Sequence, residues 1–149
     1  MKRTVQLCAL ALGLFCFGNQ EAQAQEYNTA IGLRGGYGNG LTIKQMLGGN
    51  AGVEGILVST SGILGVTALY ELYANGVFNT PRLNAYYGAG GTLIIGNSGS
   101  IGVNGVLGIE YNFAEIPINV SVDWVPGFYL VNGSGFVGEN GGLAVRYYF

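Results

Sequence analysis

The chain has 149 residues, and its 9% charged fraction is far below the roughly one quarter that a water-soluble domain carries. A formal net charge of −2 leaves no basic surface to neutralise a phosphate backbone, which argues against a nucleic-acid partner. Histidine is absent and both cysteines fall near the N-terminus, so neither an imidazole base, a disulfide, a transition-metal site nor any other cofactor is expected in the rest of the chain.

In chain order the first feature is Met1-Lys2-Arg3, a short positive region, followed by an apolar stretch from Val5 to Phe17 and the small-residue tripeptide Ala22-Gln23-Ala24. That layout predicts a secretory signal peptide over residues 1–24, cleaved after Ala24 at a site marked by Ala22 and Ala24. The apolar run is shorter than the ~20 residues a spanning helix needs. Cys8 and Cys16 lie inside the segment to be removed, and Leu7 and Phe15 stand before them where lipid attachment requires small residues. The predicted mature chain, residues 25–149, is then an exported single domain without thiol or lipid anchor. Its charges are Arg34, Lys44, Arg82 and Arg146 against Glu26, Glu54, Glu71, Glu110, Glu115, Asp123 and Glu139.

Beyond the signal, glycines and polar residues interrupt every apolar run before it reaches helical spanning length. A membrane protein without spanning helices must be a closed barrel, because only closure pairs every backbone N–H and C=O in lipid. The barrel requires period-two alternation. From Ile101 to Phe113 one parity reads Ile101, Val103, Gly105, Leu107, Ile109, Tyr111, Phe113, and the other Gly102, Asn104, Val106, Gly108, Glu110, Asn112. From Ile118 to Trp124 the apolar parity is Ile118, Val120, Val122, Trp124, against Asn119, Ser121 and Asp123. Extending this reading predicts strands over Asn28 to Tyr37, Gly40 to Leu47, Ala51 to Val58, Leu64 to Ala74, Arg82 to Ile95, Ile101 to Phe113, Pro117 to Leu130 and Val137 to Phe149, separated by turn-rich segments. The predicted fold is all-β: an eight-stranded antiparallel up-and-down transmembrane β-barrel with both termini on the periplasmic side.

Charge position is a partly separate test of those parities. Arg34, Lys44, Glu54, Glu71, Glu110, Asp123 and Arg146 fall on the lumen parity, while Glu26, Glu115 and Glu139 fall in the tail or turns and Arg82 at a strand start. A basic residue on the lipid face near the midplane costs ~2–4 kcal/mol, so a bilayer enforces this segregation. An eight-stranded interior is just wide enough for side chains to fill, which favours a structural charge network over a gate or ion path. Glycines are expected to make room for large side chains in the same space. Ser121 and Asp123, two apart on one strand, are expected to be a satisfied hydrogen-bonding pair, since no base activates the hydroxyl. The stretches "GGYGNG" and "GAGGT" lack the Gly-Lys-Ser/Thr of a phosphate loop and are read as turns and thin strand positions.

The last stretch, "LAVRYYF", places Leu143, Val145, Tyr147 and Phe149 toward lipid and Arg146 toward the lumen. With the export signal and the alternation, it resembles the small outer-membrane β-barrels of the OmpA and OmpX type, over the whole mature chain. The resemblance implies a cell outer-membrane location, membrane lipid as surroundings, and a closing strand (Leu143, Val145, Tyr147, Phe149) similar to the signal read by the barrel-assembly machinery. It implies a structural or surface-interaction role without enzyme activity or cofactor, and it names no surface ligand. Two departures weaken the anchoring and adhesin roles of that family: no peptidoglycan-binding domain follows, and the outward loops are short. The alternatives are a soluble periplasmic lipocalin-like barrel holding an apolar ligand, and a small ion-leaking channel or lipid-modifying barrel enzyme. A soluble barrel requires far more exposed charge and an apolar interior.

Overall fold

The computed structural model describes residues 28–75, 77–96, 99–131 and 135–149. The predicted signal peptide, with Ala22 and Ala24, lies outside them. The described chain forms strands β1 (Thr29–Gly36), β2 (Asn39–Gly48), β3 (Ala51–Thr60), β4 (Ile63–Ala74), β5 (Leu83–Ile95), β6 (Ser100–Asn112), β7 (Ile118–Trp124), β8 (Gly127–Tyr129), β9 (Gly135–Val137) and β10 (Gly141–Tyr148). Each strand from β1 to β6 pairs antiparallel with the next, β6 pairs with β7 and β8, and β10 pairs with both β7 and β1. The result is a closed eight-stranded antiparallel barrel in which β7 with β8, and β9 with β10, each make one stave of the wall.

Alternation sets the register. Between β6 and β7, Ile109 opposes Val122 and Tyr111 opposes Val120 on the outer face, while Glu110 opposes Ser121 and Gly108 opposes Asp123 on the inner face. A slip of one residue would exchange the two faces completely.

The predicted strand Pro117 to Leu130 is interrupted at Val125 and Pro126, because proline has no N–H to give to the ladder. The register nevertheless runs on, with Leu107 opposite Trp124 and Val103 opposite Phe128. The predicted strand Val137 to Phe149 is also corrected: Gly138, Glu139 and Asn140 part β9 from β10, and Val125 donates its N–H to the Asn140 carbonyl at 2.7 Å. Gly127 opposes Val137 on one side of this break and Trp124 opposes Gly141 on the other, so the last stave holds one extra residue, a β-bulge. The remaining predicted boundaries lie within two residues of the observed ones.

The turns 49–50 and 113–117 and the facing ends of β4 and β5 at Ala74 and Leu83 lie at the end that carries Thr29 and Phe149, and the turns 37–38 and 61–62, with the facing strand ends Ile95 and Ser100 and Tyr129 and Gly135, lie at the opposite end. Inside the wall, Ile56, Leu69, Tyr73, Tyr86, Val106 and Val125 pack together with Met46 and Val58 against them. The outer wall carries exposed Ile31, Leu33, Leu41, Ile43, Leu107, Ile109, Val122 and Trp124.

Candidate functional site

Arg34, Lys44, Glu54, Glu71, Glu110, Asp123 and Arg146 are all buried inside the barrel, none more than 6% exposed. They reach that interior because each occupies the inward parity of its strand, and they form two groups.

In the first group Arg34 on β1 clasps Asp123 on β7. Nη1 donates to Oδ2 at 2.7 Å and Nη2 donates to Oδ1 in a parallel bond, and Tyr86 Oη donates to Oδ2 at 2.9 Å. Gly142 lies opposite Asp123 and beneath the guanidinium, and a side chain there would overlap Arg34. Gly108 serves Tyr86 in the same way.

The second group is built around Arg146 and Lys44. Arg146 on β10 donates from Nη1 to Asn119 Oδ1 at 3.0 Å and Ser121 Oγ at 2.7 Å, from Nε to Thr42 Oγ1 at 3.3 Å, and from Nη2 to Glu54 Oε1. Thr42 Oγ1 donates to the same Glu54 oxygen. Lys44 on β2 faces Glu54 directly across the β2–β3 ladder. Its Nζ lies 2.8 Å from Glu71 Oε2, 3.5 Å from Glu110 Oε2 and 3.6 Å from Glu54 Oε2, and 4.1 Å from the centre of the Tyr86 ring. The negative ring face adds to the carboxylates in compensating a cation withdrawn from water. Tyr73 Oη lies 3.3 Å from Glu71 Oε2 and 3.4 Å from Glu110 Oε2, joining those carboxyls from the β4 side.

Ser121 and Asp123 are not bonded to each other as the sequence suggested. Ser121 accepts from Arg146, and Asp123 is held by Arg34 and Tyr86. Two arginines with five donors each outcompete a single hydroxyl for these acceptors.

Sequence reasoning did not single out Tyr73, Tyr86, Thr42 or Asn119 as members of the network. Tyr73 shares the parity of Glu71, which is the signal that finds it. Tyr86 is masked by its neighbour Tyr87, which points outward.

On the outer wall Leu143, Val145, Tyr147 and Phe149 are all exposed along one edge of β10 and its end. Ile31 opposes Tyr147 and Leu33 opposes Val145, and Thr29 and Phe149 exchange backbone hydrogen bonds of 3.3 and 3.0 Å. Trp124 is exposed on the same wall while its Nε1 donates to the Gly138 carbonyl at 2.6 Å. Among the described residues no helix is long and apolar enough to cross a membrane, which says nothing about crossing by strands.

No protein-family model matches this chain, and a search of curated proteins finds no relative.

Proposed function

We propose that this chain is an integral outer-membrane β-barrel of a Gram-negative-type envelope, with a structural or surface-interaction role and a packed lumen. One observation carries the reading: the charged side chains of the strands lie inside, while the outer wall is covered by apolar ones. In water such a wall would be a continuous aggregation surface; in lipid it is the matching solvent. The lipocalin-like alternative shares the fold. Against it stands an interior in which paired arginine, lysine and carboxylates occupy one stretch and the apolar side chains beside them pack against one another.

On this reading the surroundings are membrane lipid, and the barrel-assembly machinery is the partner during biogenesis, with the outward series Leu143, Val145, Tyr147 and Phe149 as the strand face it engages. The test is electrophoresis in detergent with and without boiling, together with circular dichroism. A folded barrel is expected to migrate differently from the boiled sample and to give a β spectrum. A monomer that stays soluble in water without detergent overturns the reading. Trp124 is the single tryptophan and serves as a second probe. Its fluorescence is expected to be quenched by brominated acyl chains in vesicles.

A further inference from the structure

The interior charges do not balance. Among the described residues the lumen holds the cations Arg34, Lys44 and Arg146 against the carboxyls Glu54, Glu71, Glu110 and Asp123, one acid in excess. An uncompensated charge in a dry interior is costly, so the excess must be neutralised.

The hydrogen bonds indicate where. Glu54 Oε1 is taken by Arg146 and Thr42, and Glu71 Oε2 by Lys44 and Tyr73. The other oxygen of each, Glu54 Oε2 and Glu71 Oε1, is buried without a hydrogen-bond partner. These two carboxyls are diagonal neighbours on the inner face of the β3–β4 ladder, where Glu54 opposes Leu69 and Glu71 opposes Gly52, and both converge on Lys44 Nζ, Glu54 Oε2 at 3.6 Å and Glu71 Oε2 at 2.8 Å. Two ionised carboxylates converging on one ammonium repel each other. One proton between them turns the repulsion into an O–H···O bond and satisfies both atoms.

We propose that the folded barrel retains one proton between Glu54 and Glu71, carried by Glu71. Glu71 is the carrier because Glu54 contacts both Arg146 and Lys44, whereas the cation at Glu71 is Lys44 alone, which it shares with Glu110. With Glu71 neutral, the cations and the remaining carboxylates are equal in number. The groups around it are Lys44 from β2, Glu54 from β3, Tyr73 from β4, Tyr86 from β5, Glu110 from β6 and Arg146 from β10, with the Arg34–Asp123 pair beyond Tyr86. Tyr73 Oη spans Glu71 and Glu110, and Glu110 lines a small pocket with Met46, Gly49, Asn75, Asn84 and Asn112 at the end of the barrel that carries the termini.

The inference rests on the barrel interior and holds in detergent or lipid. Infrared spectroscopy of the folded wild-type barrel at neutral pH is expected to show the carbonyl stretch of a protonated carboxylic acid, and Glu71→Gln is expected to remove it. Absence of that band from the wild type, or its persistence in Glu71→Gln, overturns the proposal. A second readout is independent of the spectrum. Glutamine mimics a protonated carboxyl, so Glu71→Gln is expected to leave the urea midpoint of unfolding unchanged or higher, whereas Glu110→Gln lowers it. A Glu71→Gln barrel that fails to fold, or unfolds as early as Glu110→Gln, counts against the retained proton.

Discussion

At the scale of single residues, the Arg34–Asp123 clasp is the cleanest interaction to measure, because its two parallel bonds have only Tyr86 as a third party. Removing either partner leaves the other charge buried and unpaired, a loss of about 3–5 kcal/mol. Arg34→Ala and Asp123→Ala are each expected to destabilise the refolded barrel by that order in urea titrations, and the double variant by clearly less than their sum. Additive losses would mean that the two side chains stabilise the wall separately. The same scale explains why the lumen was legible in the sequence as a set and not as pairs. A charge on the inward parity must be inside, but its partner depends on which staves face each other across the barrel. Arg34 and Asp123 are 89 positions apart, and nothing local joins them.

At the scale of the strand, the outer face of β6 offers a test of the surrounding medium. Leu107 is exposed on that wall, one position from the inward-facing Val106 and Gly108. Leu107→Arg is expected to cost ~2–4 kcal/mol when the barrel is unfolded from lipid bilayers, if the site lies near the midplane. In detergent micelles, where the guanidinium reaches water, the loss is expected to be much smaller. Equal losses in the two media would remove the lipid from the explanation. Strand identity was readable wherever alternation ran unbroken, as in β6. The interruption after Trp124 was hidden because parity survives it: Trp124 and Phe128 both point outward, and Val125 and Gly127 both point inward. The bulge at 138–140 hid in the opposite way. Its extra residue reverses parity, so Phe136 joins the outer face at an even position while Leu143, Val145 and Tyr147 occupy odd ones. A single period fitted through the last stave cannot represent both halves.

At the scale of the whole molecule, the described side chains fill successive stretches of the lumen. The ionic groups occupy one stretch, Ile56, Leu69, Val106 and Val125 pack beside them, and Thr92 donates to Asn104 at 2.6 Å and lies 2.7 Å from Thr67. Reconstituted into a planar bilayer, the barrel is therefore expected to pass no steady ionic current, and a constant open conductance would show that the packed interior yields in the membrane. Closure of the wall has a further consequence. Thr29 and Phe149 hold each other by two backbone hydrogen bonds, so the closed sheet has no intrinsic first or last stave. A circular permutant that joins residues 28 and 149 through a short linker and opens the chain between Ser61 and Gly62, in the tight turn between β3 and β4, keeps every rung of the ladder. Such a chain is expected to refold in detergent to the same wall and the same buried charges, with β10 now embedded in the middle of the sequence. Comparing its refolding in the test tube with its insertion in cells then separates what the strand does as part of the ring from what it does by coming last.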